Sequence, residues 1–86
     1  MDTLILTLKD SLVARKKAHG NGHLSVAGLY NSLGVLCEMN GDLREALGNY
    51  KLSLAIREDA LGRYHDHTCA TQKNIKSIEK RAPYLK

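Results

Sequence analysis

The residues with the clearest capacity for chemistry are histidines and cysteines, whose nitrogen and sulfur atoms bind zinc. The chain contains four histidines and two cysteines, at His19, His23, Cys37, His65, His67 and Cys69. Three of them, His65, His67 and Cys69, follow one another at intervals of two residues. On a helix, residues two apart point in different directions, so these side chains would not converge on one ion. We therefore interpret the histidines as structural residues and predict no metal site.

A cysteine that is paired with a histidine can also act as a nucleophile. The sequence contains neither the pattern of a nucleophile elbow nor a glycine-rich phosphate loop. Cys37 falls on an apolar stripe, where a cysteine is more often a small buried hydrophobe than a reactive thiol. We expect no catalytic activity and no cofactor. The two cysteines form no close-spaced framework, which indicates free thiols and a reducing, cytoplasmic location.

Length and composition limit the elements that could position any site. With 86 residues, 43% of them hydrophobic, the chain has room for one small domain. No apolar stretch is long enough for a membrane span or a signal peptide. The basic clusters are Arg15-Lys16-Lys17 and the spaced residues Lys73, Lys76 and Lys80. Acidic residues interrupt this field and no aromatic residues are interleaved with it, so binding of nucleic acid or an acidic surface is a minor alternative.

The sequence repeats at an offset of 42 residues, as between Lys9 and Lys51. Seven of the fifteen pairs between residues 9–23 and 51–65 are identical. The other six identical pairs are Ser11 and Ser53, Leu12 and Leu54, Arg15 and Arg57, Ala18 and Ala60, Gly20 and Gly62, and His23 and His65. A period of this length is typical of helical repeat proteins. We predict one whole repeat at about 25–62, flanked by half repeats at about 3–20 and 66–82 within a single module.

Apolar periodicity predicts four helices joined by short turns, at about 3–19, 25–39, 43–61 and 66–82. Between the second and third helices, Asn40, Gly41 and Asp42 provide a helix stop, a left-handed turn and a new N-cap. Glu45, three residues after Asp42, completes a capping-box pattern. No stretch alternates well enough to be a strand. The predicted fold is therefore all-α, with antiparallel helix pairs stacked as a short solenoid.

Several residues form a pattern of large, small and aromatic side chains at fixed spacing. They are Tyr30, Leu33, Gly34, Cys37, Gly41, Ala46, Tyr50 and Ser53. This pattern resembles the tetratricopeptide repeat, in which small residues allow two helices to approach closely. The segment AIREDALGRYH over residues 55–65 lengthens the period and resembles the signature of kinesin light chains and similar repeat proteins. The resemblance covers about residues 9–81 and implies the type of module, not an association with kinesin.

The resemblance also implies which residues build the repeat. Its structural signature is carried by Tyr30, Leu33, Gly34, Gly41, Ala46, Tyr50, Leu61, Gly62 and His65. In this interpretation the tyrosines fill the spaces between helix pairs. The sequence departs from the family pattern at Cys37, where a large residue is usual, and at Asp66, where a proline commonly follows the histidine. Lys76 matches Gly34 at the 42-residue offset, which predicts a degenerate or solvent-facing last helix.

The same resemblance implies a function in binding an extended peptide segment of another protein. In such repeats the first helix of each pair lines a concave groove. The predicted peptide-binding residues are Asn31, Val35, Glu38, Lys73, Asn74 and Ser77. Asn31 resembles the asparagine that holds a peptide backbone, because an amide both donates and accepts hydrogen bonds. Lys73 would attract an acidic side chain. For each of these residues an ordinary solvated helix face is the alternative.

A second hypothesis is structural self-association without a peptide ligand. The first helix carries an apolar set and has no earlier helix in this sequence to cover it. The set is Leu4, Ile5, Leu6, Leu8, Leu12 and Val13. Because repeat proteins gain stability from the contacts between neighbouring units, we expect the chain to form a homodimer through this helix or to exchange helices through its ends.

Overall fold

The computed structural model of the protein describes residues 2–85 and contains four α-helices. Helix α1 spans Asp2–His19, α2 spans Leu24–Met39, α3 spans Leu43–Leu61 and α4 spans Asp66–Arg81, followed by a short 3-10 helix over Pro83–Leu85. No strand occurs in this described part of the chain. The prediction of an all-α fold with four helices is therefore confirmed. None of these helices is long and apolar enough to cross a membrane.

Each helix packs against the next one along the chain, so the helices stack in neighbouring pairs. Two groups of buried side chains form the core. The first joins α1 to α2 and consists of Leu12, Val26, Tyr30 and Leu33. The second joins α2, α3 and α4 and consists of Cys37, Ala46, Leu47, Tyr50, Ile75 and Ile78. Helix α2 contributes residues to both groups, and its exposed residues, such as Ser32 and Val35, lie away from them.

The turn between α2 and α3 has the left-handed glycine and the N-cap that the sequence predicts. Gly41 has a φ of +85°, a conformation that a residue with a Cβ rarely adopts. The Asp42 carboxylate accepts from the amide of Glu45 at 3.2 Å and so caps α3. The Glu45 side chain does not complete the capping box, since it pairs with Lys9 Nζ at 3.3 Å. The Asp42 amide donates instead to the Cys37 carbonyl at 2.9 Å.

The outward faces of the first and last helices differ. On α1, Leu4, Leu6 and Val13 are 58%, 62% and 53% exposed, whereas Ala46, which matches Leu4 at the 42-residue offset, is fully buried. On α4, Lys76 is exposed, as expected for a solvent-facing last helix. Leu4, Leu6 and Val13 therefore leave some apolar surface exposed on α1, while α4 presents a charged residue at the position where α2 has Gly34.

Candidate functional site

The open side of α2 carries two adjoining cavities that share Val35. The first has a volume of about 480 Å³ and opens between α1 and α2. It is lined by Leu4, Thr7, Leu8, Asn31, Ser32, Val35 and Leu36. The second has a volume of about 450 Å³ and lies between α2 and α4. It is lined by Val35, Glu38, Met39, Tyr50, Asn74 and Arg81. Together these two cavities form a surface that we call the Val35 groove.

Helical spacing explains why the groove follows α2. Asn31, Val35 and Glu38 are four and three residues apart, which places them along one side of a helix. The buried residues of α2, such as Leu33 and Cys37, fall on its other side and face the core. The sequence thus produces an inner stripe that packs in the core and an outer stripe that is at least partly exposed.

Most of the predicted peptide-binding residues meet in this groove. Asn31, Val35, Glu38 and Asn74 line it. Lys73 and Ser77 are exposed on α4 but lie outside the lining of both cavities. The geometry therefore groups four of the six predicted residues and leaves two beside the group. Their use in binding a peptide stays a prediction.

The amide of Asn31 is held in place from α4. Its Oδ1 lies 3.4 Å from Thr71 Oγ1 and 3.5 Å from Asn74 Nδ2, both at the long limit for hydrogen bonds. Thr71 Oγ1 also lies 3.2 Å from the His67 carbonyl, and it accepts from Arg57 Nη1 at 2.7 Å. Within residues 2–85 the Asn31 Nδ2 group makes no hydrogen bond. That group is therefore a hydrogen-bond donor without a partner among the described residues.

The carboxylate of Glu38 is committed to partners within the protein. Its Oε1 accepts from the Tyr50 hydroxyl at 2.9 Å, and its Oε2 accepts from Arg81 Nη1 at 2.7 Å. Burial raises the pKa of Tyr50 above its ordinary value, and the hydrogen bond to Glu38 raises that pKa further. The second cavity therefore contains an ion pair between Glu38 and Arg81 rather than an isolated charge.

The predicted signature residues mostly take structural positions. Gly34, Ala46, Tyr50, Leu33 and Tyr30 are buried. Tyr30 packs in the core between α1 and α2, and Lys16 Nζ lies 5.1 Å from its ring centre. Gly41 and Gly62 both have left-handed φ values, Leu61 is half-buried, and His65 precedes α4 as its N-cap. These positions define the fold of the module and lie largely outside the Val35 groove.

The cysteines and histidines of residues 2–85 lie outside the lining of the Val35 groove. No group of three or more His, Cys, Asp or Glu side chains in this part of the chain is placed to hold a metal ion. Cys37 is buried, and burial, followed by the nearby Glu45 and Asp42, raises the pKa of its thiol. His23 and His65 each accept a backbone hydrogen bond at the start of a helix.

Sequence reasoning did not identify several residues that line the groove. Leu4, Leu8, Met39 and Arg81 are the clearest examples. Leu4 and Leu8 belong to the apolar set of the first helix, and their distance from α2 cannot be derived from sequence spacing alone. Arg81 lies at the end of α4, 43 residues from its partner Glu38. This separation is close to the 42-residue repeat length, which is the sequence signal that could predict a contact between Glu38 and Arg81.

Comparison of the chain with models of protein families and with curated proteins found no match.

Proposed function

We propose that the protein is a protein-interaction module that binds an extended segment of a partner in the Val35 groove. We further propose that it is a tetratricopeptide-type repeat unit similar to those of kinesin light chains. The observation that carries the proposal is the junction of the two cavities at Val35. It supplies an apolar recess beside Leu4 and Leu8, followed by amide and charged groups.

The dimensions of the groove suit a short stretch of extended chain. From Asn31 to Met39 the axis of α2 rises by about 12 Å, at about 1.5 Å per residue. An extended chain advances about 3.3 Å per residue, so about four residues of a partner would lie along this length. One apolar side chain of the partner would enter the recess next to Val35. The Asn31 Nδ2 group would donate to a partner carbonyl.

The charges around the groove favour an acidic segment. The whole chain carries a net charge of +4. The ion pairs found among residues 2–85 join Lys9 to Glu45 and Arg81 to Glu38, so Lys73 has no carboxylate partner in this part of the chain. An acidic side chain beyond the Asn74 end of the groove would approach this exposed cation. Attraction of this kind contributes mainly to the association rate and to partner choice.

Selection from a library of displayed peptides, followed by affinity measurement, tests this proposal. Replacing Asn31 by Ala should weaken binding about fivefold, which corresponds to one hydrogen bond of about 1 kcal/mol. Val35→Asp should weaken it more, because a charge would enter the apolar recess. The matched control is Leu52→Asp, since Leu52 is an exposed apolar residue of α3 outside the groove. Equal effects of Val35→Asp and Leu52→Asp, or the absence of any selected peptide, would remove the proposal.

Self-association through α1 is a second candidate, favoured by the exposed Leu4, Leu6 and Val13. Leu6 and Val13 lie seven residues apart and so share one side of the helix. Sedimentation at increasing protein concentration should show a dimer, and replacing both residues by Gln should return the protein to a monomer. A monomer at every concentration would exclude this candidate and would leave the proposal of peptide binding in the groove unaffected.

We also propose a cytoplasmic location, because both cysteines are free thiols.

A further inference from the structure

A further cavity, with a volume of about 360 Å³, lies apart from the Val35 groove. It is bounded by the first residue of α2, the end of α3 and the start of α4. Its lining residues are Leu24, Arg57, Leu61, His65 and His67, none of which lines the groove. Two leucines form its apolar walls, and the remaining lining side chains carry nitrogen atoms, with no carboxylate among them. We call this space the Arg57 cavity.

The guanidinium of Arg57 is held from α4 through one of its three nitrogens. Its Nη1 donates to Thr71 Oγ1 at 2.7 Å and to the His67 carbonyl at 3.3 Å, which accounts for both hydrogens of that nitrogen. Within residues 2–85, Nε and Nη2 make no hydrogen bond. These two nitrogens form one edge of the planar group, and their parallel N–H bonds match the two oxygens of a carboxylate. The structure therefore orients Arg57 and leaves this edge without a partner among the described residues.

The positive charge of Arg57 has no counter-ion in the part of the chain that the structure describes. The ion pairs found there join Lys9 to Glu45 and Arg81 to Glu38. Arg57 is half-buried, and burial lowers the pKa of its guanidinium. A partly buried charge without a partner is unfavourable, and a bound anion offsets that cost.

His65 adds a further hydrogen-bond donor to the lining. Its Nδ1 accepts from the His67 amide at 3.2 Å, so the proton of the neutral ring lies on Nε2. The His65 and His67 rings stack with 5.4 Å between their centres, which holds them side by side. Asp66 lies between them in sequence, but it is exposed to solvent and does not line the cavity. The lining therefore combines donors of Arg57 and His65 with no acidic side chain that would compete for them.

The 42-residue repeat shows that this arrangement is not a general requirement of the fold. Arg15 of α1 matches Arg57 in sequence, and it is exposed. Leu29 of α2 matches Thr71, so the equivalent arginine lacks the hydroxyl that holds Arg57. The α1–α2 pair therefore packs without this hydrogen bond, and the oriented arginine belongs to the α3–α4 pair.

From this geometry we propose that the Arg57 cavity binds the carboxylate of a small organic acid that carries a short apolar chain. The Nε and Nη2 edge of Arg57 holds both carboxylate oxygens, and His65 Nε2 donates one further hydrogen bond. The apolar chain of the ligand lies against Leu24 and Leu61. The inference does not require that the Val35 groove binds a peptide, since the two sites share no residue.

Titration of the whole chain with butyrate at constant ionic strength, followed by nuclear magnetic resonance of the backbone amides, tests the site. The shifts should be largest around the Arg57 cavity and should saturate with a Kd on the order of 1–10 mM, as expected for so small a ligand. Butyramide has a similar shape without the charge and should bind at least about tenfold more weakly. Shifts that do not saturate, or equal binding of butyramide, would overturn the proposal. Tighter binding of inorganic phosphate than of butyrate would also overturn it, because the site would then select phosphate.

Two matched variants test the role of the arginine itself. Arg57→Lys keeps the positive charge but lacks the planar edge, so butyrate binding should weaken about tenfold. Arg15→Lys makes the same change at the equivalent position of α1 and should leave the Kd unchanged. The comparison of butyrate with butyramide uses the natural sequence, so it decides the question even where Arg57→Lys fails to fold. Equal losses in the two variants, or no loss in a folded Arg57→Lys protein, would contradict the proposal.

Discussion

The ring of Tyr50 occupies the space in which a side chain at position 34 would lie. A Cβ added to Gly34 would be 2.6 Å from Tyr50 Cδ1 and 2.6 Å from Cε1. The contact joins α2 to α3, and the Tyr50 hydroxyl reaches past it to Glu38 on the same face of α2. Tyr50 therefore limits how closely α2 and α3 approach and also positions the Glu38 carboxylate at the edge of the Val35 groove.

Replacing Gly34 by Ala should destabilise the fold by about 2 kcal/mol, because the ring or a helix must move to admit the methyl group. The matched control is Gly28→Ala in the same helix, since a Cβ there meets no atom within 4 Å. That change should stabilise the protein by about 0.5–1 kcal/mol, the usual gain of Ala over Gly within a helix. Urea unfolding measures both. A Gly34→Ala variant as stable as the Gly28→Ala variant would show that the contact is not tight.

Replacing Thr68 by Val should stabilise the protein by about 1 kcal/mol, because a buried hydroxyl without a partner gives way to a methyl group. Thr68 is fully buried, and its Oγ1 has no hydrogen-bond partner within the described residues. Its equivalent at the 42-residue offset is the fully buried Val26. Thr71→Val is the contrasting change and should destabilise by about 1–2 kcal/mol, because Arg57 Nη1 would lose its 2.7 Å acceptor. Urea unfolding that gives the same sign for both variants would contradict the prediction.

The helices and turns could be predicted because local chemistry determines them. Gly41 and Asp42 end one helix and begin another through their own backbone and side-chain preferences, and both do so in the structure. The side chain of Glu45 could not be predicted in the same way. It turns to Lys9, a residue of α1 that lies close only because the helices stack.

The groove could be predicted only in part, for the same reason. Helical spacing places Asn31 and Val35 on one face of α2, and both line the groove. Whether the Asn31 amide is engaged by Asn74 or Thr71 depends on the rotation of α4 about its own axis. The packing of α4 on α3 sets that rotation, which therefore cannot be predicted from the spacing of residues in α2.

Cys37 should react with a thiol reagent much more slowly than Cys69. Burial raises the pKa of the Cys37 thiol, and a protonated thiol is a poor nucleophile. Cys69 is half-buried and lies in the first turns of α4. At about pH 7.5 one thiol of the natural sequence should react rapidly with the reagent, and the second should react only on unfolding. In the Cys69→Ser variant only the slowly reacting thiol should remain. Rapid labelling of the Cys69→Ser protein without unfolding would show that Cys37 is accessible.

Stability should fall as the pH rises above about 10, because Tyr50 must stay protonated in the folded state. The pKa of its hydroxyl is raised, first by burial and then by the hydrogen bond to Glu38, so the folded protein holds this proton more tightly than the unfolded chain does. The stabilisation is complete below the ordinary tyrosine pKa and is lost progressively above it. Tyr50→Phe removes the titrating group and the bond to Glu38, which costs about 1 kcal/mol at neutral pH.

The difference in unfolding free energy between the natural sequence and Tyr50→Phe should therefore shrink with rising pH and then reverse. Urea unfolding at intervals from about pH 8 to pH 11 measures this difference, and the other tyrosines, which both proteins share, cancel in it. A difference that stays constant would mean that the Tyr50 hydroxyl titrates alike in the folded and unfolded states. That result is incompatible with a ring that is packed against Gly34 and donates to Glu38, because either feature alone opposes its ionisation.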